Sequence, residues 1–439
     1  MDGGLRQGAI GWLLLASLGV SYVIAGDYSA WNFGMQHGGW GGLALAVVFG
    51  AAMYFALLAS LAELATIIPE AGGGSAFAER AFGPVAACIT GGCIFIEYCA
   101  AAAVVAVFVG AYTRPLLGIG GAPVIVGVFL LFVAIHAAGV GEAMRVLLGM
   151  ALIALLGLIV FVASTAPSFH VAHLTDIAPQ GLARTRWLPH GWLGVWAALP
   201  FGTAFFLAVE GVAMAAEETR DPQRNLPRGM FAALAVLTLF AIAIVLAGPG
   251  AAGARALQYA DDPIVAGLQV AGVAPWVVRF VNVCGLAGLL ACLFSAIYGY
   301  SRLAFALARA GYLPAALART NRRRVPLNAI IAPGVLACTL ALTGAADQIF
   351  VMMVSAGTLS YLLMLPAHWI MRRREPGLPR PYRTPGGTWT VRFAWGAAAL
   401  SFVACFVANP LWSAVTLALL GLFLAGYALR RRRQLQPRG

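Results

Sequence analysis

The sequence predicts an all-α polytopic membrane protein of about twelve spans, built as two five-helix repeats of inverted topology with two accessory helices behind them. Three observations lead there. The 439 residues are 61% hydrophobic and only 10% charged, a composition far outside that of soluble domains. Apolar windows of ~20 residues, the length that crosses a bilayer core, recur along the chain at 8–33, 41–67, 84–113, 122–140, 146–166, 193–217, 228–248, 277–308, 327–344, 348–371, 391–408 and 411–429. The first and sixth of these are interrupted, at Ala25-Gly26-Asp27 and Val209-Glu210-Gly211, each time by a glycine beside an acid.

The segments take their places in order. Residues 1–166 form the first five-helix repeat, opening with the interrupted segment; the short, weakly charged start lacks a small-residue cleavage site and is expected to remain as a mature first span. Residues 167–371 form the second repeat, again opening with an interrupted segment. An odd number of spans per unit makes the second copy enter from the opposite side, which puts a pseudo-two-fold axis in the membrane plane. Residues 372–439 supply an extended cytoplasmic connector rich in Pro and Arg (Arg372 to Arg392), helices 11 and 12, and a basic tail. The longer outer connections, Ser168 to Trp192 and Pro249 to Trp276, are expected to cap or gate the outer mouth. No aqueous segment is long enough for a separate domain with its own core.

The net charge of +12 comes entirely from arginine, since all 28 basic residues are Arg. With the N-terminus inside, 23 of them fall in or beside inner loops and tails and 5 in outer loops. That asymmetry predicts a multi-pass protein of the cytoplasmic membrane with both termini cytoplasmic. The clusters Arg322 to Arg324, Arg372 to Arg374 and Arg430 to Arg433 abut spans, which suits orientation and contact with anionic membrane lipid and excludes nucleic-acid binding on a folded basic surface. Seven cysteines lie inside apolar segments and read as buried hydrophobes.

Broken helices are tolerated at membrane depth only where they line a protein or water cavity. Two breaks therefore predict one central site, with free amides and carbonyls able to hold the two ends of a small polar solute. Gly26 and Gly211 supply the breaks, and Asp27 and Glu210 an anionic field. Glu97, an acid within the apolar stretch Cys93 to Val109, costs ~2.5–3.5 kcal/mol at the centre of a helix and is a functional candidate on that ground; burial makes it a candidate proton carrier. Tyr28, Tyr98, Phe205 and Phe206 are candidate walls for an ammonium group, which gains ~0.5–2 kcal/mol over an aromatic face. After span six, Glu217, Glu218 and Arg220 open a charged run that could pair with Arg80 or Arg145 in a latch, with Glu210 as the gate or proton site. The six histidines show no ligand spacing, and no hydrolase, metalloprotease or phosphate-loop motif is present. No enzyme activity, metal or cofactor is expected.

The stretches Ser60-Leu-Ala-Glu-Leu through Pro69-Glu-Ala-Gly-Gly, Phe82-Gly-Pro, Glu217-Glu-Thr-Arg-Asp-Pro and Tyr300-Ser-Arg-Leu-Ala-Phe resemble the amino acid-polyamine-organocation superfamily, over nearly the whole chain. The resemblance implies a five-plus-five inverted repeat of the LeuT-like kind. Gly26-Asp27-Tyr28, Trp31-Asn32-Phe33-Gly34, Ile96-Glu97-Tyr98 and Val209-Glu-Gly-Val-Ala-Met-Ala-Ala-Glu-Glu look most like the ethanolamine permease group. Two departures, the run Cys-Ala-Ala-Ala-Ala after Tyr98 and the insertion Ser29-Ala30, point to a wider cavity and a larger amine. Some proton-coupled relatives carry a lysine in span five; with no lysine in the chain, that device is excluded. The expectation is a secondary transporter of a small organic amine such as ethanolamine, coupled to protons rather than sodium. The alternative is an amino acid or polyamine permease or exchanger of the same fold.

Overall fold

The computed structural model describes residues 10–70, 72–138, 143–180, 185–321 and 325–435. The helices are α1 (Trp12–Val23), α2 (Ala25–Tyr28), α3 (Trp31–Ile67), α4 (Gly74–Phe82), α5 (Pro84–Leu117), α6 (Ala122–Ala138), α7 (Ala143–Thr165), α8 (Val171–Leu174), α9 (Gly191–Thr203), α10 (Pro222–Ala252), α11 (Ala254–Leu257), α12 (Pro263–Val270), α13 (Pro275–Arg309), α14 (Leu327–Ala341), α15 (Ala346–Arg374), α16 (Thr388–Ala408) and α17 (Pro410–Leu435). A 3-10 segment, Val209–Glu218, joins the end of α9 to α10. Proline opens α5, α10, α12 and α13, where its missing N–H and fixed φ cost nothing.

Eight of these helices are long and apolar enough to cross a membrane, and α1, α6 and α14 are shorter apolar helices. With α9 they account for the twelve expected segments. The shortfall in length at α1 and α9 has a definite cause, because both stop at a break. The chain is a multi-pass membrane protein. The seven cysteines are free, and all but the half-buried Cys338 are buried.

The breaks lie a few residues from where Gly26 and Gly211 would put them. After the single turn α2, Ser29 is extended (φ −147°, ψ 166°) and Ala30 is left-handed at φ 77°, just before α3 resumes. After α9, residues 204–208 form turns, and Ala208, at φ 74°, precedes the 3-10 segment. Gly26 and Asp27 are thus within a helical turn, and Glu210 and Gly211 follow their break rather than forming it. A non-glycine residue in the left-handed region costs roughly 1–2 kcal/mol, and ten residues of 3-10 helix is an uncommonly long run. Both breaks therefore concentrate backbone strain. A second kink falls inside α3 at Gly39 (φ 69°).

The two breaks meet. A Cβ on Gly26 would sit 3.4 Å from the Ala204 carbonyl and 3.6 Å from the Phe205 Cα, so α2 packs directly on the unwound end of α9. Further along, α3 and α9 approach through glycines: a Cβ on Gly50 would lie 2.9 Å from the Gly202 carbonyl, and one on Gly38 2.8 Å from Ala198 Cβ. Small residues at such a seam let two backbones touch where the membrane supplies no hydrophobic drive. Behind this pair, α5 runs through the middle of the bundle against α13 and α15, and its residues from Cys93 to Ala106 are almost entirely buried.

Candidate functional site

Glu210 lies on the 3-10 segment just after the second break, and one of its carboxylate oxygens accepts a 2.6 Å hydrogen bond from the Tyr361 hydroxyl of α15. Tyr361 is in turn 3.0 Å from the Tyr54 hydroxyl of α3. The other Glu210 oxygen is buried with no hydrogen-bond partner among the described residues. Glu97 projects from α5 toward the same place: its carboxyl carbon is 3.0 Å from where a Gly357 side chain would begin, one helical turn before Tyr361. Neither Glu97 oxygen has a hydrogen-bond partner among the described residues, and the Glu97 and Glu210 charges act on each other. Buried polar groups are nearly always satisfied, so three open carboxylate oxygens mark Glu97 and Glu210 as a candidate binding site.

Tyr98 packs edge-on against Tyr22 of α1, ring centroids 5.5 Å apart. Its hydroxyl fills the place a side chain at Gly211 would need, which is why that position is glycine. Phe206 lies 5.7 Å from Tyr54 and 6.5 Å from Phe205. A narrow pocket of about 20 Å³ reaches Glu210 and Tyr98 past Leu61, Phe77, Ile94 and Met364. No basic residue lines it. The structure thus brings together Glu97, Tyr98, Phe206, Glu210 and Gly211, with Gly26 and Phe205 at the neighbouring contact between the two breaks.

Of the other expected wall and field residues, Tyr28 is tied elsewhere and Asp27 is buried without a partner among the described residues. Tyr28 does not face the two glutamates: its hydroxyl donates to the Ala154 carbonyl of α7 at 2.6 Å, and its own carbonyl accepts from Tyr112 at 2.6 Å. The reason is local, because α2 is one helical turn and successive side chains on it point in different directions. Asp27 is 1% exposed, and neither of its oxygens makes a hydrogen bond among the described residues.

The pairing expected with Arg80 or Arg145 is not what the described residues show. Glu218 pairs with Arg302 of α13, whose guanidinium lies 3.8 Å above the Tyr298 ring. Arg80 binds Glu375 instead, through two hydrogen bonds of 3.2 and 2.8 Å, and this holds the Glu375 carboxyl below the usual carboxylate range. The Arg145 side chain lies outside the described residues. Arg220 is exposed and its main-chain N–H donates to Ile10. The Arg322 to Arg324 cluster also lies outside the described residues.

Sequence reasoning missed Tyr54, Tyr361, Arg302 and, most of all, Glu63. Glu63 is 1% exposed near the end of α3. It accepts from Arg372 at 2.9 and 2.6 Å, from the Thr384 N–H at 2.7 Å and from the Thr384 hydroxyl at 2.9 Å. His368 lies 3.1 Å and Arg380 3.3 Å from the same carboxylate. The connector after α15, expected to be merely extended, is therefore pinned to α3. The signal was present: Glu63 is the single charged residue between Gly41 and Ile67, the criterion that singled out Glu97.

Two facing helix breaks with an acid pair beside them are the features expected of a membrane carrier. Residues 10–423 match the amino acid permease family, and the chain belongs to it. The chain is similar to the branched-chain amino acid permease of Bacillus subtilis (strain 168), 28% identical over 77% of this chain and 75% of the relative. It is also similar to the methylthioribose transporter of the same organism, 28% identical over 74% of this chain and 72% of the relative. Cationic amino acid transporter 2, vacuolar, of Arabidopsis thaliana is 31% identical over 45% of this chain and 31% of that protein. The protein is a permease rather than an enzyme.

Proposed function

We propose that this permease carries a solute with an ammonium group, a cationic amino acid first, held between Glu97 and Glu210 and moved by alternating access. The observation that carries this reading is the set of three open carboxylate oxygens on those two residues. A buried unpaired carboxylate is costly until a cation or proton joins it. Two acids accommodate two positive charges, one from each amino group of a cationic amino acid or one from an amine and one from a proton. The substrate carboxylate would approach the main-chain amides at the breaks near Gly26 and Ala208. Tyr98 and Phe206 would close around the aliphatic part. Residues 1–166 and 167–371 would act as the two inverted repeats in the cytoplasmic membrane, both termini inside, with the Glu218–Arg302 pair as an inner gate and protons as the coupling ion.

Family membership supports an amino acid over a simple amine. Ethanolamine is the second reading, favoured by the absence of any basic residue in the pocket lining, since an amine needs no partner for a carboxylate. Counterflow in proteoliposomes loaded with arginine, lysine, leucine or ethanolamine tests both. Labelled arginine exchanging with arginine and lysine is expected. Exchange with leucine alone would sink the cation assignment, and exchange with ethanolamine alone would establish the second reading.

A further inference from the structure

The arginines of the inner face differ in whether the protein already uses them. Arg372 is spent on Glu63, Arg302 on Glu218 and Arg80 on Glu375, while Arg374 donates to the Ala81 carbonyl and Arg430 to the Tyr312 carbonyl. Arg224 and Arg228 are different. They lie one turn apart near the start of α10, both exposed; Arg224 has only Asp221 at 3.9 Å, and no hydrogen bond or ion pair is found for Arg228 among the described residues.

Arg224 and Arg228 line one wall of an open groove of about 360 Å³, whose other wall is Pro381 and Tyr382 of the connector. At its inner end Phe231 lies 6.2 Å from Tyr382 and 5.7 Å from Phe55. Phe55 is 52% exposed on α3, a membrane-crossing helix, so the aromatic edge leads out onto the lipid-facing surface. The groove is cationic and wet at one end and apolar at the other.

We propose that this groove binds an anionic phospholipid, its phosphate between Arg224 and Arg228 and the start of an acyl chain along Phe231 and Phe55. Arginine forks match phosphate oxygens, and basic residues at the inner membrane surface attract acidic headgroups. A soluble anion would have no use for the aromatic edge. The position matters, since α10 follows directly on the 3-10 segment that bears Glu210 and Glu218, and Tyr382 belongs to the connector that Glu63 holds. A lipid there bridges the second broken helix to the connector.

The test is native mass spectrometry of detergent-purified full-length protein titrated with phosphatidylglycerol or phosphatidylcholine, together with uptake in liposomes of each lipid. Phosphatidylglycerol adducts are expected on the parent, and roughly thirtyfold weaker on R224Q/R228Q, with R224K/R228K largely restoring them. F231A is expected to weaken phosphatidylglycerol binding while the protein keeps its elution volume. Equal binding by parent and R224Q/R228Q would overturn the site. Competition by millimolar glycerol 3-phosphate would overturn the lipid in favour of a soluble phosphate, and equal affinity for phosphatidylcholine would overturn the role of charge. Should R224Q/R228Q fail to fold, R228Q alone, with its expected loss of several-fold, decides.

Discussion

Glu63 and Glu97 are each 1% exposed and Glu210 is partly buried, and both sites draw on α3 and α15, yet they are opposites. Glu63 has two hydrogen bonds from Arg372 and two from Thr384, with His368 and Arg380 beside it. Among the described residues Glu97 has none, and Glu210 has one, from Tyr361. The same residue type at similar depth is a rivet in one place and an open socket in the other. What separates them is whether the fold itself supplies a positive partner. Face by face, α15 serves both: Tyr361 reaches Glu210, and His368 and Arg372, two and three turns on, reach Glu63.

The comparison breaks first at its closed end. E63A should destabilise the protein by ~3–5 kcal/mol, the cost of stranding a buried partner charge, read as a large fall in melting temperature in detergent. A melting temperature equal to that of the parent would mean the rivet holds nothing. At the open end the signs reverse. E97Q and E210Q should each cut uptake at least tenfold while leaving the melting temperature unchanged or raised, because Glu97 has no hydrogen-bond partner among the described residues and a glutamine at 210 can still accept from Tyr361. Transport near the parental rate in both would show that the open oxygens bind nothing that moves.

A smaller effect is expected from Y361F, which removes the one hydrogen bond that the fold gives Glu210. A bond to a charged group is worth about 1.5–3 kcal/mol, but the carboxylate proposed to hold the ammonium group stays in place, so a rise in KM of about fivefold to tenfold is expected. A change in melting temperature with KM unaltered would make Tyr361 a packing residue only. Smallest of all is R80Q. The Glu375 carboxyl is held below its ordinary value of 4.5 by Arg80, so the pair stabilises above that pH and its contribution is lost as the pH falls through the lowered value. Exposed pairs of this kind contribute little. Parent and R80Q should differ slightly in melting temperature at neutral pH and converge in acid; a gap that widens in acid would contradict the assignment.

Much of this was legible in the sequence for a physical reason. Apolar runs of spanning length have few alternatives to helices in a membrane, so the twelve segments could be read directly. Glu97 and Glu210 were legible because an acid at membrane depth is anomalous. The exact breaks were not, because the left-handed positions are taken by Ala30 and Ala208, residues with no turn signature, while the neighbouring glycines serve close packing instead. Tyr28 was misplaced because a single helical turn turns its side chains apart. The Glu63 cluster was hidden by distance along the chain: Arg372 is 309 residues away and Thr384 321. Pairing at that range is decided by the fold, and nothing local announces it.

Ala30 and Ala208 carry one more consequence. A glycine at either joint would sit in the left-handed region without penalty, yet would also be free to sample many other angles. An alanine there has few alternatives, so each joint is stiff and has a narrow range of rest positions. A carrier hinged this way should switch between a small number of sharply defined shapes instead of drifting among many. Its turnover should then climb steeply with warming, as one barrier is crossed, and A30G/A208G should flatten that climb.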